Sequence, residues 1–166
     1  MRYPSIAILM LMGFARGSTH PTHCKPMTDS TRHKSLSKDQ IEILELIGRW
    51  AEAVRKEDRA AIAADHDSRM LMFDVPPPFL SRGLDAYMAT WEQFISSVEK
   101  PVTFHFHDIE ITAGEDTAFA TATGNCVNID AKGNREPLQF RLTMGLRKIA
   151  GRWRVMHEHH SLPAEE

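Results

Sequence analysis

At 166 residues, with 20 Lys and Arg against 22 Asp and Glu and a net charge of −2, the chain has the size of one domain with a tail and no basic stripe to follow a phosphate backbone. Nucleic acid is therefore not an expected partner. Two cysteines, Cys24 and Cys126, can build neither a disulfide framework nor a Cys-rich zinc site.

The chain opens with "MRYPSIAILMLMGFARGSTH", an apolar run from Ile6 to Ala15 behind Arg2. This has the make-up of a signal peptide and is too short to span a bilayer, so no membrane partner is expected. The polar stretch from Met27 reads as an ordinary functional start. The expected location is accordingly cytoplasmic, or secreted or periplasmic if residues 1–15 are a true signal peptide. Residues 1–35 are expected to form a leader or disordered tail, residues 36–163 the domain, and residues 164–166 a short tail.

From Ser37 the pattern is helical. Ile41, Leu44, Ile47, Ala51 and Val54 recur at spacings of three and four, and Ser37 stands three residues before Gln40 as a capping box, which predicts a helix over 38–57. A second, short helix is predicted over 58–66 with Asp58 as its N-cap. Asp65, His66 and Asp67 crowd its end, where a solvated terminus is the expectation. "RMLMFDV" then reads as an apolar strand that Pro76 to Pro78 terminate. A third helix is predicted over 83–98 with Leu84, Tyr87, Trp91, Phe94 and Ile95 on one side, and Pro101 marks the switch to strands. Four strand-like runs follow, "VTFHFHDIEIT", "TAFATATGNCVNI", "LQFRLTMGLRKI" and "RWRVMHEHHS", separated by turn residues. Helices first and a meander second predict an α+β fold, a curved antiparallel sheet with three helices packed on one face.

The last run carries three histidines. A three-residue hairpin loop of Ile149, Ala150 and Gly151 would set Lys148 opposite Arg152, and counting then places Thr143 opposite His157 and Arg141 opposite His159, all on the face of Trp153 and Val155. Glu158 and His160 would point to the other side of the sheet. A loop one residue shorter would put Leu142 and Met144 beside the histidines instead. An Arg on an apolar face requires a partner, for which Asp74 in "MLMFDVPPP" or an anionic ligand is a candidate. His105-x-His107 and His157-x-His159 each set two imidazoles on one strand face, as zinc sites do, but no carboxylate stands at a ligand spacing, so no metal site is assigned.

The order "IGRWAEAVRKEDRAAIAADHD", "MFDVPPPFLSRGLDAYMATWEQF" and "FRLTMGLRKIAGRWRVMHEHHS" resembles the SnoaL-like, ketosteroid-isomerase-like branch of the nuclear-transport-factor-2-like superfamily, over about residues 36–163. The resemblance implies a cone of curved sheet closed by three helices around a pocket, with frequent dimerisation through the sheet. It implies Asp74 as general base in a carboxylate-then-proline turn. Trp50 stands where those enzymes place an oxyanion-binding Tyr and Phe140 near their protonated oxyanion-hole Asp; an indole offers one N–H on a different vector, and Phe offers no donor. The close of the chain, Met156 to Ser161, is also similar to the association domain of calmodulin-dependent kinase II.

Two readings of function follow. In the first, Asp74 removes a proton next to a carbonyl while Arg141 with His157 or His159 holds the enolate, with no cofactor. In the second, a ligand-binding or assembly module holds a small carboxylate through Arg141. Either way a small hydrophobic or carboxylate-bearing molecule is the expected partner. Asp74, Arg141 and His159 are expected to meet in one pocket bounded by Trp50, Tyr87 and Trp91, with Thr143 and His157 beside them. Leu142 and Met156, placed on the outer face, would support a homodimer.

Overall fold

The computed structural model describes residues 35–129 and 133–164. The expectations for residues 1–34 lie outside the described residues.

Helix α1 (Lys38–Arg55) begins where the capping box predicts. The Gln40 amide donates to Ser37 Oγ at 3.2 Å and the Ser37 amide to Gln40 Oε1 at 2.9 Å, so two otherwise unpaired amides of the first turn are satisfied reciprocally. Its buried stripe is Ile43, Leu46, Ile47, Trp50, Ala51 and Val54, while Ile41 and Leu44 stand outside it, half exposed. This rotation turns Trp50 inward. Asp39 in the first turn accepts from Trp153 Nε1 at 3.0 Å and from Lys148 Nζ, which fastens the start of the helix to the last hairpin. The Lys148 and Trp153 hydrogen bonds hold the Asp39 carboxyl below the usual carboxylate range.

Helix α2 is shorter than predicted, Arg59–Ala63, with the Asp58 side chain accepting from the Ala61 amide. The chain leaves the helix early because residues 66–73 are taken into the sheet. Strand β1 (His66–Phe73) thus begins inside the segment expected to be a helix end. A two-residue strand, β2 (Ser81–Arg82), leads into α3 (Leu84–Ser97), which buries Tyr87, Thr90, Trp91 and Ile95.

Strands β3 (Phe104–Ala113), β4 (Thr117–Ile129), β5 (Arg135–Ile149) and β6 (Arg152–Ser161) form the predicted meander, and the six-stranded sheet runs β2-β1-β6-β5-β4-β3. Every pairing is antiparallel except β1 with β6, which is parallel and brings Met72 beside Glu158 and Phe73 beside His159. The fold is therefore α+β, as the order of elements predicts, with α1 packed over β3 and α3 over β1 and β2.

The final hairpin departs from the expected register. Its loop has two residues, Ala150 and Gly151, both at positive φ (50° and 77°), so Ile149 faces Arg152 and Lys148 faces Trp153. A bulge at Met156 then shifts the pairing by one: Leu146 faces Val155, but Gly145 faces His157. Because side chains alternate, the inserted residue exchanges the two faces of β6 beyond it. Trp153 and Val155 are interior before the bulge, and Glu158 and His160 are interior after it. A second bulge at Asp108, φ 51°, similarly resets β3.

Candidate functional site

The predicted site residues divide into two groups. Trp50, Tyr87 and Trp91 are buried in the interior, and Asp74 stands at its edge with a fifth of its side chain exposed. Arg141, Thr143 and His159 are exposed on the opposite face of the sheet, and His157 is half-buried there. Arg141 faces Ser161 rather than His159, donates to the Leu162 carbonyl at 2.7 Å, and borders an open groove of about 460 Å³ with His107, Asp108, Asn125 and Gln139. His157 Nδ1 bonds the Leu71 carbonyl. Asp74, Arg141 and His159 therefore do not meet, because the counting assumed a three-residue loop and an unbulged strand. The same shift turns Leu142 inward, where it is 2 % exposed, so it cannot support a dimer from the outer face.

In their place the interior gathers Glu158, His160 and His66. Glu158 is fully buried; its Oε1 accepts from His66 Nε2 at 2.5 Å and from the Tyr87 hydroxyl at 3.1 Å, and that hydroxyl also lies 2.9 Å from His66 Nε2. The contact assigns Nε2–H to His66. Burial and the negative Glu158 push the Tyr87 phenol well above its ordinary value, against the pull of the Trp91 and Trp50 indole N–H groups beside it, so Tyr87 is a fixed donor. Three elements position this knot: β1 contributes His66, α3 contributes Tyr87 and β6 contributes Glu158.

Next to it, His160 Nδ1 lies 3.2 Å from Asp74 Oδ1, which also accepts from the Val75 amide at 2.8 Å. The imidazole is stacked on Trp50 (centroids 6.4 Å apart, 12° between planes) and edge-on to Phe140 at 5.4 Å. Burial lowers the His160 pKa, but the hydrogen bond that its Nδ1–H donates to Asp74 and the charges of Glu158 and Asp74 outweigh it, and the net direction is upward. His160 Nε2 stands 3.8 Å from Glu158 Oε2, too far for a hydrogen bond.

Five buried polar atoms of this region make no hydrogen bond of good geometry: Trp50 Nε1 and Trp91 Nε1, which both lie beside the Tyr87 hydroxyl, and His66 Nδ1, Glu158 Oε2 and His160 Nε2. Leaving such atoms unpaired costs about 1–3 kcal/mol each, so water or a ligand that reached them would stabilise the site. Around them stand Phe104, Phe106 and Phe140, with Phe106 stacked on Trp50 at 5.4 Å. Cys126 adds no chemistry, since burial pushes its thiol up to about 11. Among the described residues no group of three or more His, Cys, Asp or Glu is arranged to hold a metal ion, and no helix is long and apolar enough to cross a membrane.

Sequence reasoning missed His66, Glu158 and His160. The signal was in β5, where Phe140, Leu142, Met144 and Leu146 alternate with Arg141, Thr143 and Gly145, which puts the even positions inside. The interior positions of β6 opposite them had to change parity between Val155 and Glu158.

The proton held by His160 has a consequence for stability. A histidine whose folded pKa is raised above the ordinary value of 6.5 stabilises the fold fully below that value and loses the contribution as the pH rises through the folded pKa. Subtracting the stability–pH curve of His160→Gln from that of the wild type should leave a difference that favours the wild type at pH 6 and declines towards pH 9. A difference that grows with pH would mean that the imidazole is buried neutral.

A sheet of this order with helices over the face that carries the polar cluster is the architecture of the nuclear-transport-factor-2-like proteins. The chain belongs to the SnoaL-like domain family, whose pattern matches residues 43–165. It is similar to an NTF2-like protein of unknown function from Pseudomonas putida KT2440, with 31% identity over 76% of this chain and 88% of that one and a TM-score of 0.69. A ketosteroid isomerase-like protein from Erwinia carotovora atroseptica SCRI1043 shares the fold at 17% identity, 78% and 100% coverage and a TM-score of 0.67. So does a candidate calcium/calmodulin dependent protein kinase II association domain from Xanthomonas campestris, at 16% identity, 75% and 88% coverage and a TM-score of 0.64. No curated protein matches the sequence.

Proposed function

We propose that this SnoaL-like domain takes a small, mostly apolar molecule bearing one carbonyl or related oxygen into its interior and carries out proton transfer beside that oxygen. The observation that supports the reading is the set of five buried polar atoms without a hydrogen bond of good geometry inside an aromatic enclosure: donors from Trp50, Trp91 and His160, and an acceptor from Glu158. A ligand oxygen that receives the donors would relieve several buried unpaired groups at once, which apolar packing cannot do.

His160 is the donor with a transferable proton. Asp74 engages its Nδ1, fixing the ring and leaving Nε2 towards the interior, so Asp74 acts through His160 as a positioning residue rather than directly on a substrate. The charge balance favours a neutral ligand. Asp74 and Glu158 are both at the site, and among the described residues no Lys or Arg is buried, so a carboxylate would meet two of its own sign. The carboxylate partner expected from Arg141 would have to lie in the outer groove instead.

A ligand that binds only the folded state raises its melting temperature, by an amount set by concentration over Kd. In a thermal-shift series of matched cyclic ketones, alcohols and carboxylic acids, ketones are expected to stabilise the wild type, acids to do nothing, and Trp50→Phe, which deletes one donor and keeps the ring, to reduce the shift. Stabilisation by the acids alone, lost in Arg141→Ala, would overturn the reading in favour of the outer groove.

A further inference from the structure

We infer that His157 and His159 form a binding site for a borderline divalent cation, Zn²⁺, Ni²⁺ or Cu²⁺, on the face of the sheet opposite the interior cluster. The inference is independent of the interior-pocket reading. The bulge at Met156 sends both rings to this outer face, where alternation on β6 sets them side by side with centroids 6.4 Å apart. His157 is already arranged as a ligand. Its Nδ1 lies 2.9 Å from the Leu71 carbonyl, and because a carbonyl only accepts, Nδ1 carries the hydrogen and the lone pair of the neutral ring is left on Nε2. Metal-bound imidazoles are characteristically held in this way, with the nitrogen that does not bind tied to a carbonyl or carboxylate.

The surroundings hold the pair together. Phe73, on the neighbouring strand β1, stands edge-on to His157 at 4.9 Å and 74° and to His159 at 5.7 Å and 81°, so a single ring backs both imidazoles. On the β5 side His157 faces Gly145, where a Cβ would already touch the His157 Cβ at 3.4 Å, and the missing side chain leaves room beside the ring. An ion about 2.0–2.1 Å from each of two nitrogens sets the ring centres about 5 Å apart in a tetrahedral arrangement. His159 is exposed and can close the difference by turning its ring. The other His-x-His pair is less suited, since His107 Nε2 is engaged with Asn125 Oδ1 at 3.1 Å. No third His, Cys, Asp or Glu joins His157 and His159 among the described residues, so water completes the coordination and the ion keeps exchangeable positions. Imidazole ligands select Zn²⁺, Ni²⁺ and Cu²⁺ over Mg²⁺ and Ca²⁺, which take oxygen, and Cu²⁺ should bind most tightly.

The test uses the full chain without an affinity tag. Its first residues carry His20, His23, Cys24 and His33, which also bind such ions, so the readout has to be local. Isotope-labelled protein is titrated with Zn²⁺ while the imidazole resonances of His157 and His159 are followed by NMR, and a small amount of Cu²⁺ then maps the site by paramagnetic loss of signal. The expected result is saturable Zn²⁺ shifts at both rings, with Cu²⁺ erasing signals around His157, His159, Phe73 and Thr143. His159→Gln should weaken the Zn²⁺ response of His157 by about 10-fold or more, as expected when a ligand and not merely its support is lost. The double variant His157→Gln with His159→Gln should keep its signals around Phe73 and Thr143 in the presence of Cu²⁺, and His105→Gln should behave like the wild type. Signal loss confined to residues 1–34, or loss around β6 that persists unchanged in His159→Gln, would overturn the inference. Absence of any Zn²⁺ shift at His157 would do the same. Should the double variant fail to fold, His159→Gln decides alone, because it leaves the bond from His157 to Leu71 in place.

Discussion

Gly124→Val is expected to lower unfolding stability by about 3 kcal/mol, from overpacking a filled core, and the melting temperature by about 10 °C. Gly124 pairs with Phe140 across β4 and β5, and the aromatic ring lies over the space a side chain would use. A Cβ on residue 124 would stand 2.3 Å from Phe140 Cζ and 2.6 and 2.8 Å from its two Cε atoms. Other rings surround it on the interior side: Phe104 is stacked beside it at 5.8 Å, Phe106 stands edge-on at 6.0 Å and His160 at 5.4 Å. Displacing it would also tilt His160 away from Asp74. Urea denaturation of the purified variant measures the effect, and stability within about 0.5 kcal/mol of the wild type would show that the aromatic enclosure yields easily.

His66→Ala should cost still more, about 3–5 kcal/mol, because it removes one partner of a buried carboxylate and leaves the other in place. The His66 and Glu158 side chains are 1% and 0% exposed, so water is not at hand to replace the lost donor. Loss of the ring would also remove its face-to-face contact with Tyr87, whose centroid is 4.5 Å away. A double-mutant cycle of His66→Ala with Tyr87→Phe is expected to show coupling above about 0.5 kcal/mol, as for two donors that share one acceptor. A cost for His66→Ala below about 1 kcal/mol would mean that Glu158 is satisfied without it.

The fold was legible from local pattern because its signals are local. Ser37 and Gln40 announce the start of α1 from three residues apart, and the runs that became β3 to β6 alternate and end in turn residues. Asp74, Tyr87 and Trp91 could be singled out because a lone carboxylate in an apolar run and large aromatics on a helix face stand out by residue type, and Trp50 only through the family resemblance. The wall of the site was not legible, for two physical reasons. A bulge inserts one backbone residue without requiring a particular side chain, so nothing in "RWRVMHEHHS" marks Met156 as the insertion. The role of His66 depends on β1 lying parallel to β6, a contact 92 residues distant in sequence that no periodicity within "HDSRMLMF" reports.

The bulge at Met156 gives β6 two reading frames. Upstream, the inward set is Trp153 and Val155, which belong to the core and to the anchor on Asp39; downstream it is Glu158 and His160, which belong to the buried polar cluster. The two sets sit on one strand yet answer to different registers, so the downstream pair can be exchanged without altering the upstream anchor. His157 and His159 occupy the alternate frame, one residue out of step and held on the far side of the sheet. Regular pairing with Met156 retained would transpose the frames, presenting those two imidazoles inward in place of a carboxylate and an imidazole. One backbone insertion thus acts as the selector that decides which half of a four-residue alphabet, His-Glu-His-His, the interior displays.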